Sequence, residues 1–265
     1  MNVMNNKKLA LVTGATGAIG KAIARQLLAT GNFRVIMVVK NEIKALKAME
    51  DIRRQTRSED IRYIITDLSV KQQVIELATA IREPVQVLVN NAAFTPRSRA
   101  ETPEGIEMQF AVNVLGYYWM INAFTNHLKE GAPSRVVNVS SYWAGGLDFS
   151  DLEFKRRNYD NNEAYRQSKQ ANRMLTVAFA SRLAPLNITV NACHPGDVNS
   201  ALSNSMGFGG HETPDHGADT PVWLATSHEV EGINGKYFEQ RKHVVCNFGR
   251  SLKDVEKLFE ICGKY

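Results

Sequence analysis

Two hydrophobic patterns alternate along the chain. Short, mostly apolar runs fall at residues 9–12, 33–39, 61–66, 85–89, 135–139 and 188–192. Between them, apolar residues recur three and four positions apart, as in residues 42–57, 70–81, 103–129 and 161–183. A short apolar run bounded by turn residues reads as a strand covered on both faces, and a stripe of period 3.6 as a helix lying on a sheet. In the stretch 161–183 the stripe is Ala171, Leu175, Ala178, Phe179 and Leu183. Further on, residues 235–238 read as a seventh strand, and 221–226 and 251–261 as helices, the last with Val255, Leu258, Phe259 and Ile261 apolar. Strands alternating with helices predict an α/β fold built on a mostly parallel, doubly wound, seven-stranded sheet in a three-layer sandwich. The chain carries no linker, repeat or low-complexity tract, so its 265 residues are expected to form one domain.

Sites in such sheets lie at the carboxyl ends of the strands. The first strand runs straight into Thr13-Gly14-Ala15-Thr16-Gly17-Ala18-Ile19-Gly20, and a helix follows to about residue 29. Strand, glycine turn and helix aim backbone N–H groups and a helix N-terminus at a pyrophosphate, the Rossmann arrangement, although the spacing is not GxGxxG. The second strand ends in Val39-Lys40-Asn41. An acidic residue there would hold the ribose hydroxyls of NAD; Lys40 suits a 2′-phosphate, so NADP(H) is expected, with NAD(H) the alternative. Asp67 and Leu68, Asn90, Ser141 and Gly196 also follow strands, and Ala92 lies where small residues let a cofactor approach the backbone. Asn113 interrupts the long helical stretch 103–129, where asparagine fits poorly. After Gly196 the pattern loosens. Residues 199–217 hold several glycines, Met206 and Phe208, and read as a mobile loop over the site.

Tyr165 and Lys169 sit four residues apart in a predicted helix and so share a face. A nearby ammonium favours phenolate, and a tyrosine tuned toward neutrality can exchange a proton with a substrate oxygen. Taken alone, the same spacing also describes many solvated helix faces.

Composition bounds these readings. Hydrophobic residues make up 44% and charged residues 22%, enough for a sizeable core. No apolar stretch approaches the ~18 residues of a membrane span. Residues 1–8 are polar without an apolar signal core, which predicts a soluble, cytoplasmic protein. Cys193, Cys246 and Cys262 are widely spaced, and five histidines, His127, His211, His216, His228 and His243, share no common spacing, so no metal site is expected. The net charge of +5 comes from scattered residues, with small clusters at Arg53-Arg54 and Lys155-Arg156-Arg157, and gives no support to a nucleic-acid face.

Taken together, TGATGAIG (13–20), DL (67–68), NNAA (90–93), Asn113, VVNVSS (136–141), YRQSK (165–169) and HPGDVNS (194–200) resemble the short-chain dehydrogenases/reductases, in that family's order. DLEF (151–154), the run 165–175, GKYF (235–238) and LFEIC (258–262) narrow the resemblance to the retinol-dehydrogenase-like branch. The glycine turn also fits longer epimerase-like members, but little chain follows Lys169 to hold their substrate domain. NNAA replaces the commoner NNAG. The resemblance implies Tyr165 as general acid and base, and Ser141 as holder of the substrate oxygen. It implies Lys169 as modulator of Tyr165 and ligand of the nicotinamide ribose, and Asn113 as holder of a water linking Lys169 to solvent. It places the cofactor on Gly14, Thr16, Gly17, Ala18, Ile19 and Gly20, on Asp67, Leu68, Asn90 and Ala92, and on Pro195, Gly196 and Val198. Ser141, Tyr142, Trp143, Met206 and Phe208 are the expected substrate pocket, for a small to medium apolar carbonyl or alcohol. The helices at 103–129 and 161–183 correspond to the family's usual dimer face, so a homodimer or homotetramer is implied. A cofactor-binding regulator without catalysis is the alternative, and the full set of Asn113, Ser141, Tyr165 and Lys169 argues against it.

Overall fold

The computed structural model describes residues 7–265; residues 1–6, most of the polar N-terminal stretch, lie outside the described residues. The strands are β1 (Lys8–Thr13), β2 (Phe33–Val39), β3 (Ile61–Ile65), β4 (Val87–Asn90), β5 (Ser134–Val139), β6 (Ile188–His194), β7 (Tyr237–Glu239) and β8 (Lys242–Val244). They form one sheet in the order β3-β2-β1-β4-β5-β6-β7-β8. The first seven are parallel and β8 runs antiparallel to β7. The sequence predicts seven strands, and the eighth is the addition. It follows a tight hairpin in which Gln240 and Arg241 both take positive φ, 48° and 60°, as a two-residue type I′ turn requires. Its three residues are polar or half-exposed, so no apolar run announces it.

Helices cover both faces. On one, α1 (Ala18–Ala29), α2 (Glu42–Thr56) and α7 (Pro214–Thr226) pack through residues such as Ile23, Leu27, Ile52 and Leu224. On the other lie α3 (Lys71–Ala80), α4 (Gly116–Glu130), α5 (Asn161–Leu183) and α8 (Leu252–Cys262), with Leu77, Phe124, Leu175 and Leu258 in the core. The strand order reverses between β1 and β4, and that crevice opens at the carboxyl ends of the strands.

Two predicted boundaries move. The helix expected over 103–129 is helical only from residue 108, because the Glu107 carboxylate accepts from the backbone N–H groups of Gln109 and Phe110, at 2.8 and 2.7 Å, and ends the preceding turn. Its first part, Phe110–Leu115, is a π turn. The helix expected at 221–226 begins earlier, at Pro214, capped by the Thr213 hydroxyl on the His216 N–H. Gly217 lies inside it because a Cβ there would stand 2.4 Å from Val198 Cγ2, so this glycine marks a close approach rather than a loop. The expected loop 199–217 accordingly contains the short α6 (Ala201–Ser205), held by a capping box between Ser200 and Ser203.

Candidate active site

The glycine turn packs against the chain leaving β4. Gly14 has φ +64°, and a Cβ on it would lie 2.7 Å from the Ala92 Cα; one on Gly20 would lie 2.5 Å from both Asn91 Nδ2 and the Gly14 carbonyl oxygen. Only glycine serves at these two positions. Gly17 is the N-cap of α1, without a side-chain cap, and the first turn carries no acidic residue. The free N–H groups and the positive end of the helix are therefore available to an anion. They face a groove of about 510 Å³. Thr16, Gly17, Ala18 and Ile19 form one wall, Asn91 and Ala92 another, Lys40, Asp67 and Leu68 the mouth, and Leu202 of α6 the cover.

At the mouth, Lys40 Nζ lies 2.6 Å from Asp67 Oδ2, with the lysine side chain 68% exposed. Asp67 Oδ1 accepts from the Ser69 N–H and hydroxyl at 3.0 and 2.7 Å. Burial raises the Asp67 carboxyl, but the Lys40 pair and the Ser69 hydrogen bonds more than offset it and hold it below the ordinary range. Asn90 is placed differently from the sequence expectation. It is buried in the sheet, where its Nδ2 donates to Asn138 Oδ1 at 3.0 Å. Its neighbour Asn91 lines the groove instead, with Nδ2 donating to the Thr13 carbonyl at 2.9 Å. The paired asparagines in the sequence gave no sign of which faced outward.

Beyond the groove lies a second space of about 60 Å³, walled by Ser141, Tyr142, Trp143, Tyr165, Pro195, Gly196, Val198 and Phe208. Ile19, Ser200 and Leu202 border both spaces, so they adjoin. Tyr165 is 8% and Ser141 7% exposed. The two serines after β5 divide their work. Ser140 Oγ donates to the Lys169 carbonyl at 2.9 Å, tying β5 to α5, while Ser141 Oγ accepts from the Trp143 N–H and is near enough to Tyr165 to lower the phenol's pKa. Phe208 packs against Trp143 with the rings tilted at 44° and their centroids 4.1 Å apart. Tyr142 is half-exposed at the rim, edge-on to His194 at 4.6 Å. Met206, expected in the pocket, ends α6 and borders neither space; Leu202, one turn earlier, takes that position.

Tyr165 and Lys169 share a face of α5, as their spacing predicts, and burial is the first cause of the direction in which each is shifted. Burial pushes the phenol up to about 12, against the neighbouring Ser141 hydroxyl, and pulls the Lys169 ammonium down to about 7. Desolvation penalises both charged forms here. Asn113 sits in the π turn, which explains a residue that fits poorly in a regular helix. Its Oδ1 accepts from the Phe94 N–H at 2.8 Å, and its Nδ2 faces the Phe94 carbonyl, Gln109 Oε1 and Ser168 Oγ at 3.1, 3.3 and 3.4 Å. Among the described residues there is no group of three or more His, Cys, Asp or Glu that could hold a metal ion, and no helix long and apolar enough to cross a membrane.

The sheet order and the glycine turn agree with what sequence comparison finds. The chain belongs to the short chain dehydrogenase family, whose model matches residues 8–207. Within it the chain falls in the retinol-dehydrogenase-like branch. Retinol dehydrogenase 13 of Mus musculus is 36% identical over 252 residues, covering 88% of this chain and 75% of that protein. Retinol dehydrogenase 14 of Homo sapiens is 35% identical over 262 residues, covering 87% and 77%. Among solved structures, 3-ketoacyl-(acyl-carrier-protein) reductase from Brucella melitensis, complexed with NADH, superposes with a TM-score of 0.67 at 25% identity, over 88% of this chain and 96% of that one.

Proposed function

We propose that the protein interconverts a small to medium apolar aldehyde or ketone and its alcohol, with NADP(H) preferred over NAD(H). The observation that carries this reading is that Tyr165 and Ser141 are both buried and both line the space that adjoins the glycine-turn groove. The groove fits a dinucleotide: small residues Gly14, Gly17, Ala18, Ala92 and Ala93 along its walls, an uncapped helix N-terminus for the pyrophosphate, and Lys40 near the mouth for a 2′-phosphate. Named relatives that are retinol dehydrogenases, and a fold neighbour complexed with NADH, support the same class of chemistry.

When bound, the nicotinamide supplies or accepts the hydride. Ser141 donates a hydrogen bond to the carbonyl oxygen, and Tyr165 gives that oxygen its proton in reduction and takes it back in oxidation. A phenol near 12 is protonated at neutral pH, the form that reduction needs. Lys169 would hold the nicotinamide ribose and, once charged, would oppose the rise of the phenol; Asn113 fixes the wall against α5. Trp143, Leu202 and Phe208 give an apolar lining. The test is turnover of aldehydes and ketones with each cofactor. Tyr165→Phe is expected to keep the fold and cofactor affinity while losing rate by ~10²–10⁴; near-normal turnover in that variant would refute the assignment.

A further inference from the structure

Gln109 is fully buried one turn before Asn113, and its carboxamide spans two elements of the site. On one side the two N–H groups of Nε2 face three acceptors, the Tyr159 hydroxyl at 2.8 Å and the side-chain and backbone oxygens of Asn161 at 2.9 and 3.2 Å. Asn161 is the first residue of α5, the helix that carries Tyr165 and Lys169. On the other side Oε1 accepts from Asn113 Nδ2 at 3.3 Å.

The orientation of this chain of amides follows from backbone groups. A backbone carbonyl only accepts, so the NH₂ of Gln109 must face the Asn161 carbonyl. The Phe94 N–H only donates and the Phe94 carbonyl only accepts, so Asn113 is oriented as well, with its Nδ2 toward Gln109. Asn113 Nδ2 also reaches Ser168 Oγ, and that hydroxyl donates to the Tyr165 carbonyl at 2.7 Å. The π turn is therefore fastened to α5 at Asn161 and again at Ser168, and Tyr165 lies between the two points.

We propose that Gln109 is a positioning residue for the reaction: its carboxamide ties Asn113 on the π turn to the first turn of α5 and so sets where Tyr165 stands. This rests on the oxidoreductase reading above. The effect should fall on the chemical step, since Gln109 borders neither the groove nor the catalytic space. A displacement of about 1 Å at a reacting group costs on the order of 10²-fold in rate.

The experiment uses the full chain with saturating cofactor. Gln109→Met keeps the volume and removes both polar ends; it should lower kcat by ~10–100-fold and leave the carbonyl KM within about threefold. Gln109→Glu keeps the acceptor toward Asn113 but, when ionised, sets a carboxylate against the Asn161 carbonyl. Its kcat relative to wild type should recover as pH falls from about 8 to about 6, because the neutral acid can donate again. In a double-mutant cycle, Gln109→Met with Asn113→Ala should cost little more than Asn113→Ala alone. Hydrogen exchange gives a readout without turnover: Gln109→Met should speed exchange at the Phe94 N–H and in the first turn of α5. Multiplicative losses in the cycle, or unchanged exchange at those amides, overturn the inference. A wild type that reduces no carbonyl and oxidises no alcohol with either cofactor overturns the oxidoreductase reading, and this inference with it.

Discussion

Lys169 stands one helical turn from Tyr165, yet its Nζ lies 5.6 Å from the centre of that ring and donates its hydrogen bond to the Val139 carbonyl, at 2.9 Å. The lysine is 2% exposed, and burial holds its amine at about 7. An ordinary lysine titrates near ~10.4. Between those values the unfolded chain binds a proton that the folded chain does not. Stability from this group therefore rises with pH from about 7 toward ~10, and below about 7 the full penalty of a buried ammonium remains. The slope is at most roughly 1.4 kcal/mol per pH unit. Lys169→Met should lack this rise. Denaturant unfolding of both proteins at about pH 7 and about pH 9 measures it; a stability difference that is the same at both would contradict the buried-amine account.

The two serines after β5 should separate in experiment. Ser140 is 1% exposed and holds the Lys169 carbonyl, so Ser140→Ala should lower stability by about 1 kcal/mol and affect kcat little. Both serines border the catalytic space, but the Ser141 hydroxyl is not spent on a backbone carbonyl, so Ser141→Ala should leave the melting temperature nearly unchanged and lower kcat by roughly 10²-fold. Thermal melts and steady-state rates on both variants decide it, and the reverse order would exchange the two roles.

Phe208 and Trp143 close the catalytic space to about 60 Å³. Phe208→Ala should open it. The expected result is a lower KM for bulky ketones than in the wild type, with kcat for small aldehydes retained. A KM series across carbonyls of increasing size is the measurement; no change with size would place Phe208 outside the substrate path.

What the sequence made legible was whatever depended on periodicity and on strand ends. Residues 33–39 were an apolar run and are β2; Gly14, Asp67, Ser141 and Gly196 follow strands and do gather around the adjoining spaces. What it hid depended on which way a side chain turns. Asn90 and Asn91 are identical in type, and only the strand's entry into the sheet decides that the first pairs with Asn138 and the second lines the groove. Gln109 looked like any polar helix residue, because its partners at Tyr159 and Asn161 are distant in sequence. Likewise, the spacing of Tyr165 and Lys169 predicted proximity, but the sign of their pKa shifts came from burial, which spacing does not report.

Cofactor choice turns on the pair at the groove mouth. Lys40 is offered to the groove, but it already holds Asp67 at 2.6 Å. A 2′-phosphate would gain an ammonium partner and meet a carboxylate beside it. A charge-assisted contact contributes roughly 1.5–3 kcal/mol, and exposure of Lys40 pushes its share toward the low end. At ~1.4 kcal/mol per decade, NADPH should bind about tenfold tighter than NADH. Asp67→Asn should widen that preference, because it frees Lys40 and removes the repulsion. Lys40→Asp should reverse it, since two carboxylates then face the phosphate and the ribose hydroxyls of NADH gain an acceptor. Added salt should weaken NADPH binding more than NADH binding. The measurement is Kd for both cofactors, in wild type and both variants, at two ionic strengths. Equal wild-type affinities, or a preference indifferent to Lys40→Asp, would reduce the Lys40–Asp67 pair to a surface ion pair with no part in choosing the cofactor.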